Sequence, residues 1–283
     1  MSPPPLPRGT LGKTGLDLPI LGFGVSGPHA TRLVHKMDTV AMIAQALSAG
    51  VEFFDTAPFY GDGEAEQRLG FALSASDSPV FVSTKAGTRK RGSRWDKDFA
   101  PDAIERSLDE SLSRLGQVDA LFLHGPARTD LTDALLAKLQ SFKSDGRLRF
   151  VGVCGRGAEL NAAIDAQAFD LLMAPASTDI PGTLLATLTR AKSAGLGVVG
   201  IQVMGASVRG ARQPRRLSDI WYAARDLAQG ARRDTRQSPL SRLASAISDG
   251  PADIVLTSTT RAENLAANLS TARRAGAPGE ASS

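Results

Sequence analysis

Four side chains that could together move a proton to a carbonyl oxygen stand at the ends of three successive apolar segments: Asp55, then Tyr60, then Lys85 and His124. A phenol with a pKa of about 10 is still protonated at neutral pH. An ammonium within reach lowers such a pKa by roughly 1–3 units. Lys85 at the end of an apolar segment is costly to bury unless it is paired, and Asp55 on the neighbouring segment is the natural partner.

Each of these residues alone has a structural explanation, since Asp55 could cap a turn and a lone histidine is more often structural than catalytic. Together they favour reduction of a carbonyl, with Tyr60 as the proton donor and Lys85 tuning it. His124 would orient the carbonyl by a hydrogen bond or help to relay the proton. The hydride would come from a nicotinamide, because no side chain can supply one.

The elements that must position these residues alternate along the chain. Short, nearly continuous apolar runs are typical of strands that are buried on both faces of a parallel sheet. Eight such runs are found, at residues 19–24, 51–57, 80–86, 118–124, 148–154, 169–175, 197–204 and 253–257. Helical patterns lie between several of them, at residues 102–115, 130–142, 158–168, 183–194 and 261–274. Gly50, Gly146 and Gly195 are expected to end helices.

Eight strands alternating with helices predict an α/β fold, a (β/α)8 TIM barrel, in which catalytic groups lie at the carboxyl ends of the strands. We expect a single barrel domain over residues 11–274, with flexible segments at residues 1–10 and 275–283. The alternative is an open, doubly wound sheet, which usually needs fewer strands.

Composition narrows the classes of function. The chain has 283 residues, a formal net charge of +4 and one cysteine, so no intrachain disulfide can form and a reducing, cytoplasmic location is expected. It has no apolar run long enough to span a membrane and no signal-peptide pattern. No spacing of His, Cys or Asp suggests a metal.

The positive charge fits a polyanionic ligand, either a dinucleotide or a nucleic acid. Nucleic acid is disfavoured because no aromatic residues interleave the basic ones. The arginine-rich residues 205–238 are expected to form a long loop that shapes the binding site, or else a solvated surface. A glycine string at residues 152–157 has the wrong spacing for a dinucleotide fingerprint.

Four motifs in order resemble the aldo-keto reductases, especially their bacterial members. They are LGKTGL followed by LGFG at residues 11–24, FDTAPFYGDG at 54–63, RSLDESLSRLG at 106–116 and VDALFLH at 118–124. The resemblance extends from about Leu11 to Ala272. It implies that Asp55, Tyr60, Lys85 and His124 form a complete catalytic tetrad.

The resemblance also implies a set of cofactor contacts. Cys154, Gly155 and Met173 stand where the family usually holds the nicotinamide carboxamide with Ser, Asn or Gly, and Gln. A methionine cannot supply both a donor and an acceptor there. Residues 255–268 are similar to the family's phosphate-and-adenine loop, whose expected contacts are Ser258, Thr259, Arg261, Asn264 and Asn268. Gly22 and Met204 complete the expected set.

NADP(H) is the expected cofactor, because Arg261 and the basic residues 205–238 could bind the 2′-phosphate, and NAD(H) stays open as the alternative. The expected partner is a small carbonyl or alcohol substrate. A second hypothesis comes from another class: a cofactor-binding regulatory or sensor protein with little turnover, for which the potassium-channel β-subunits that resemble this family are the precedent. The sequence carries no pattern for the oligomeric state.

Overall fold

The structure, a computed structural model, describes residues 4–91, 94–205, 216–228 and 237–276. Its strands are β1 (Arg8–Thr10), β2 (Asp17–Pro19), β3 (Leu21–Gly24), β4 (Phe53–Asp55), β5 (Phe81–Ala86), β6 (Thr88–Arg91), β7 (Arg94–Lys97), β8 (Ala120–His124), β9 (Phe150–Cys154), β10 (Leu171–Pro175), β11 (Gly197–Ile201) and β12 (Ile254–Thr257). Its helices are α1 (Lys36–Ser48), α2 (Glu64–Leu73), α3 (Pro101–Leu115), α4 (Asp133–Ser144), α5 (Ala158–Ala166), α6 (Gly182–Ser193), α7 (Leu217–Ala228), α8 (Pro239–Ser248) and α9 (Ala262–Ala275).

Eight of these strands close into a parallel barrel in the order β3, β4, β5, β8, β9, β10, β11, β12 and back to β3. All eight overlap the apolar runs in the sequence, so the expected (β/α)8 barrel is confirmed. The open, doubly wound sheet is wrong, because β12 pairs with β3 and leaves no barrel edge free. Apolar character on both faces is the reason: one face of each strand packs inside the barrel and the other against the helices.

Two apolar clusters stabilise the barrel. The inner one contains Phe53 and Phe81, whose rings meet edge to face at 4.9 Å, together with Phe122 and Met173. The outer cluster lies between the strands and the helices. Since the inner cluster fills the middle of the barrel, a ligand can enter only at an end.

The β1–β2 hairpin closes the amino-terminal end of the barrel. Leu11 in its turn is fully buried in the inner cluster, and Lys13 N–H donates to the Gly195 carbonyl oxygen at 2.9 Å. Strand β1 pairs with β2 in register Arg8 to Pro19. Residues 8–10 are therefore ordered by this pairing, which differs from the flexible segment expected at residues 1–10.

Residues 205–238 contain helix α7 rather than the expected long loop. The apolar residues Leu217, Ile220 and Leu227 are exposed, at 64%, 46% and 85%, whereas the polar residues Ser218 and Asp219 are buried. The polar side of α7 thus packs against the rest of the protein. A search of the sequence for a helix with a buried apolar face therefore does not detect α7. Most of the arginines in this segment, including Arg209, Arg212 and Arg215, lie outside the described residues.

Candidate active site

Asp55 and Lys85 form a buried ion pair at the carboxyl ends of the adjacent strands β4 and β5. Lys85 Nζ lies 2.8 Å and 2.7 Å from the two carboxylate oxygens and 2.8 Å from the Thr56 carbonyl oxygen. Ser83 donates a further hydrogen bond to Asp55 Oδ1 at 2.7 Å. Burial alone would lower the pKa of Lys85, but the charge and hydrogen bonds of Asp55, together with Tyr60 and Cys154, outweigh it and the pKa is raised. The ammonium is therefore fixed in place and charged.

Tyr60 follows β4 in a tight turn before α2 and lies above this pair. Gly61 and Gly63 have φ angles of 65° and 89°, a region that favours glycine. The turn packs closely, because a side chain at Gly61 would clash with the Ala30 carbonyl oxygen. Lys85 Nζ lies 5.6 Å from the centre of the Tyr60 ring. The residues predicted from the sequence to act together are thus in the same place.

The ionisation of Tyr60 differs from the sequence prediction. Burial raises the pKa of Tyr60 to about 12, although the charge of Lys85 pulls it down. We expected Lys85 to lower this pKa below its ordinary value of 10. Desolvation of the phenolate is the larger effect here, and the negative charge of Asp55 beside Lys85 raises the pKa further.

His124 ends β8 and faces Tyr60 across Phe59. Its ring stacks on Phe59 at a centroid distance of 4.9 Å, and the Phe59 and Tyr60 rings are 4.4 Å apart. Burial, together with the charges of Lys85 and Lys97, lowers the pKa of His124 to about 3. The imidazole is therefore neutral throughout the physiological range of pH.

One large cavity of about 830 Å³ opens above these four residues, within the range usual for ligand sites. It contains the tetrad and nine of the ten predicted cofactor contacts: Cys154, Gly155, Met173, Met204, Ser258, Thr259, Arg261, Asn264 and Asn268. Residues from both ends of the chain thus meet at the carboxyl end of the barrel.

Gly22 is the exception, and the structure does not place it in the cavity. It lies deeper in β3, where an added Cβ would come within 2.5 Å of the Leu256 side chain and 2.9 Å of the Phe53 carbonyl oxygen. Its lack of a side chain serves barrel packing. Gly24, two residues on, lines the cavity instead.

Glu159 occupies the space beside Gly155 that a larger residue would fill. A Cβ at Gly155 would clash with the Glu159 carboxylate, whose Oε1 accepts hydrogen bonds from the Arg156 and Gly157 backbone N–H groups. Glu159 lines the cavity. The neighbouring Cys154 stays a thiol, since burial raises its pKa to about 11. Sequence reasoning missed Glu159, although a glutamate just inside a helix start is a recognisable capping signal.

The other end of the cavity lies at the start of α9. The Arg261 guanidinium contacts both carboxylate oxygens of Asp219 from α7, at 2.7 Å each. Asn264 donates to Thr259 Oγ1 at 3.4 Å. Thr257 Oγ1 is buried and has no hydrogen-bond partner among the described residues, although Thr257 lines the cavity.

Helix α7 covers this end of the cavity with residues that the sequence analysis did not single out. Trp221 lies over Gly27, whose added Cβ would be 3.2 Å from the indole ring. Arg225 lies 5.5 Å from the centre of the Trp221 ring and 5.3 Å from that of Tyr222, and all three line the cavity. A helical run from Leu217 to Ala228 without Gly or Pro is the signal that could have revealed this helix.

In the described part of the chain, no three His, Cys, Asp or Glu side chains are placed to hold a metal ion. None of the described helices is both long and apolar enough to cross a bilayer.

The fold and the site define a class of protein: a closed, parallel (β/α)8 barrel with an Asp–Tyr–Lys–His cluster at the carboxyl end of its strands. Residues 21–213 match the model of the aldo/keto reductase family, and the chain belongs to that family.

The chain is 32% identical to L-galactose dehydrogenase of Arabidopsis thaliana over 208 residues, which cover 67% of this chain and 62% of the relative. It is 30% identical to D-threo-aldose 1-dehydrogenase of a Pseudomonas species over 239 residues, 71% of this chain and 70% of the relative. Among solved structures, an aldo-keto reductase from Bacillus halodurans superposes with a TM-score of 0.76 at 20% identity, covering 94% of this chain and 90% of that one. That last likeness concerns the fold alone.

Proposed function

We propose that this protein is an NADP(H)-dependent oxidoreductase that interconverts aldehydes or ketones with alcohols, with Tyr60 as the general acid and base. The observation that carries the proposal is the buried Asp55–Lys85 pair beneath Tyr60, in the same cavity as His124. Buried charges of this kind are costly to maintain and are concentrated at functional sites. Several relatives are named as dehydrogenases.

Tyr60 would give its proton to the carbonyl oxygen during reduction and take it back from the alcohol during oxidation. A pKa of about 12 keeps the phenol protonated, which suits the donor role. The positive charge of Lys85 would stabilise the phenolate that is left after the transfer. Asp55 would hold Lys85 charged and at a fixed distance.

When bound, the nicotinamide supplies the hydride, which goes to the carbonyl carbon as the proton goes to the oxygen. Two features of the cavity fit a dinucleotide. The buried Thr257 hydroxyl has no hydrogen-bond partner among the described residues, so it is placed to bond a polar group of a ligand. The start of α9 beside Ser258 and Arg261 provides the backbone N–H groups and the positive charge that bind phosphate.

Glu159 is our candidate for holding the nicotinamide carboxamide. Cys154 and Met173 are poor hydrogen-bonding groups, and Gly155 has no side chain. Glu159 lies in the space left by Gly155, and only its Oε1 is used by backbone N–H groups. Its second carboxylate oxygen is available to accept a hydrogen bond from the amide NH2. This would restore the contact that the altered family positions lose.

The test is a spectrophotometric screen with NADPH and NADH against a panel of aldehydes, ketones and alcohols, repeated with Tyr60→Phe. The chain has only two tyrosines, and both line the cavity. Tyr222→Phe therefore removes the other phenol as a matched control. Tyr60→Phe should lower kcat by about 10²–10⁴-fold. Tyr222→Phe should keep most of the turnover.

Cofactor affinity should be nearly the same in Tyr60→Phe and in the unmodified chain, because the hydroxyl addresses the substrate. Turnover that survives Tyr60→Phe would remove Tyr60 from the mechanism. Tight NADPH binding without turnover on any carbonyl or alcohol would instead favour a sensor function.

A further inference from the structure

One ring nitrogen of His124, Nδ1, is held by a short chain of hydrogen bonds from the β6–β7 hairpin. His124 Nδ1 lies 3.0 Å from Thr88 Oγ1, and Lys97 Nζ lies 3.0 Å from the same hydroxyl oxygen. Thr88 and Lys97 are direct partners in the β6–β7 register, so their side chains lie on the same face. Lys97 also donates to the His124 backbone carbonyl oxygen.

The donor and acceptor roles in this chain follow from the groups involved. A lysine ammonium can only donate, so Thr88 Oγ1 accepts from Lys97. The Thr88 hydroxyl proton then needs an acceptor. Of the two described groups within hydrogen-bond distance of Oγ1, Lys97 Nζ cannot accept, so the proton goes to His124 Nδ1. In a neutral imidazole with Nδ1 unprotonated, the proton is on Nε2.

The same arrangement of a cation, a threonine and a histidine occurs a second time in the molecule. There, a further contact determines independently which ring nitrogen carries the proton. Arg68 donates to Thr39 Oγ1 at 3.3 Å, and Thr39 Oγ1 lies 3.2 Å from His29 Nδ1. His29 Nε2 lies 2.9 Å from the Thr259 carbonyl oxygen, which can only accept. His29 therefore carries its proton on Nε2, and its Nδ1 accepts from the threonine.

We propose that Thr88 and Lys97 are positioning residues that hold His124 as the tautomer with its proton on Nε2. Nε2 has no hydrogen-bond partner in the described part of the chain, and His124 lines the cavity beside Tyr60. It therefore presents an N–H donor to the oxygen that Tyr60 protonates. Of the two roles open to His124, this assigns orientation and polarisation of the carbonyl rather than proton relay. That consequence rests on the proposed carbonyl reductase function, whereas the tautomer itself does not.

The tautomer can be read directly by NMR of the full chain labelled with 15N-histidine, through long-range correlations of the ring nitrogens. The chain has only three histidines, so His35→Gln and His124→Asn assign the signals. His29 is the internal reference for the form protonated on Nε2. His124 should show this form in the unmodified chain and in Thr88→Ser, which keeps the hydroxyl. Thr88→Val, which has nearly the same shape without the hydroxyl, should add a population protonated on Nδ1.

A second variant tests the role of the Lys97 ammonium. Lys97→Met leaves the Thr88 hydroxyl free to accept from Nδ1–H, so a population protonated on Nδ1 should appear. Lys13→Met removes a lysine at the opposite end of the barrel and should leave the His124 signals unchanged. A His124 protonated on Nδ1 in the unmodified chain would overturn the proposal. So would a Thr88→Val spectrum identical to that of the unmodified chain.

Steady-state kinetics of the same variants tests whether the position of His124 affects turnover. Thr88→Val should lower kcat for carbonyl reduction by about tenfold, the effect of one misplaced hydrogen bond, and Thr88→Ser should rescue it. If the unmodified chain turns over no carbonyl at all, the proposed function fails, while the NMR result still decides the tautomer. If turnover is present and Thr88→Val matches the unmodified chain in both spectrum and kcat, only the positioning proposal fails.

Discussion

Arg261 and Asp219 form a two-contact ion pair that joins the start of α9 to helix α7. Arg261 Nη2 lies 2.7 Å from each oxygen of the Asp219 carboxylate, and Asp219 is buried. Arg261 is the residue that the sequence favours for the 2′-phosphate of NADPH. In this structure it is already partly neutralised, so a 2′-phosphate would have to share it with a carboxylate.

This pair makes a prediction about the choice of cofactor. Arg261→Ala should weaken NADPH binding by about 1.5–3 kcal/mol, the value of a charge-assisted hydrogen bond, and leave NADH nearly unchanged. Asp219→Asn should have the opposite effect and tighten NADPH binding, because it removes a negative charge next to the phosphate. Quenching of the fluorescence of Trp221, which lines the cavity, measures both affinities. Equal changes for NADPH and NADH would contradict the assignment.

Glu159 should affect the nicotinamide half of the cofactor and not the adenine half. Glu159→Ala removes the proposed carboxamide acceptor, so NADPH affinity should fall by about tenfold, the effect of one lost hydrogen bond to a charged group. Binding of 2′,5′-ADP, which lacks the nicotinamide, should not change, and this also shows that the variant is folded. The NADPH affinity of Glu159→Gln should lie between those of the unmodified chain and Glu159→Ala, because glutamine keeps an acceptor oxygen but loses the charge. Parallel losses for NADPH and 2′,5′-ADP would mean that Glu159 acts only on the structure of α5.

The pH dependence should differ between the two directions of the reaction. Tyr60 with a pKa of about 12 is protonated throughout the range from about pH 6 to pH 9, and His124 with a pKa of about 3 is neutral there. The kcat for reduction should therefore be flat over this range. Alcohol oxidation needs the phenolate, whose fraction grows tenfold per pH unit below the pKa, so its kcat should rise with pH.

Steady-state rates at saturating cofactor and substrate measure both profiles. A step near pH 6.5 in the reduction profile, the ordinary pKa of histidine, would mean that the environment of His124 differs from the one described.

Alanine substitutions at Gly22 and Gly24 distinguish an effect on packing of the barrel from an effect on cofactor binding. Gly22→Ala should destabilise the fold by about 1–3 kcal/mol, because the new methyl group meets the Leu256 side chain and the Phe53 carbonyl oxygen. Gly24→Ala has its nearest neighbour at 3.7 Å and lines the cavity, so stability should hold while cofactor affinity falls. Urea unfolding and fluorescence titration measure the two effects. Lost affinity with normal stability in Gly22→Ala would restore Gly22 as a cofactor contact.

The barrel, and the meeting of Asp55, Tyr60, Lys85 and His124 at one end of it, could be predicted from the sequence because both follow from local patterns. Each strand is a short apolar run, and the carboxyl ends of parallel strands in a barrel meet at one end. Asp55 and His124 end their barrel strands and Lys85 is the residue before the last of its strand, so the positions of these residues along the chain were enough to bring them together. Tyr60 follows Asp55 by only five residues in a glycine-bounded turn.

The charge state and the lining of the site depend on contacts between distant segments, which no local pattern contains. Burial reversed the expected shift in the pKa of Tyr60, because desolvation depends on everything packed around the phenol. The Asp219–Arg261 pair joins residues 42 positions apart, and the polar inner side of α7 hides that helix from an apolar pattern. Gly22 and Gly24 share one strand, and only their depth in the closed barrel decides that one packs against Phe53 and the other lines the cavity. The sequence by itself determined which residues could react, and the tertiary structure decided their protonation and their neighbours, since both depend on packing from all sides.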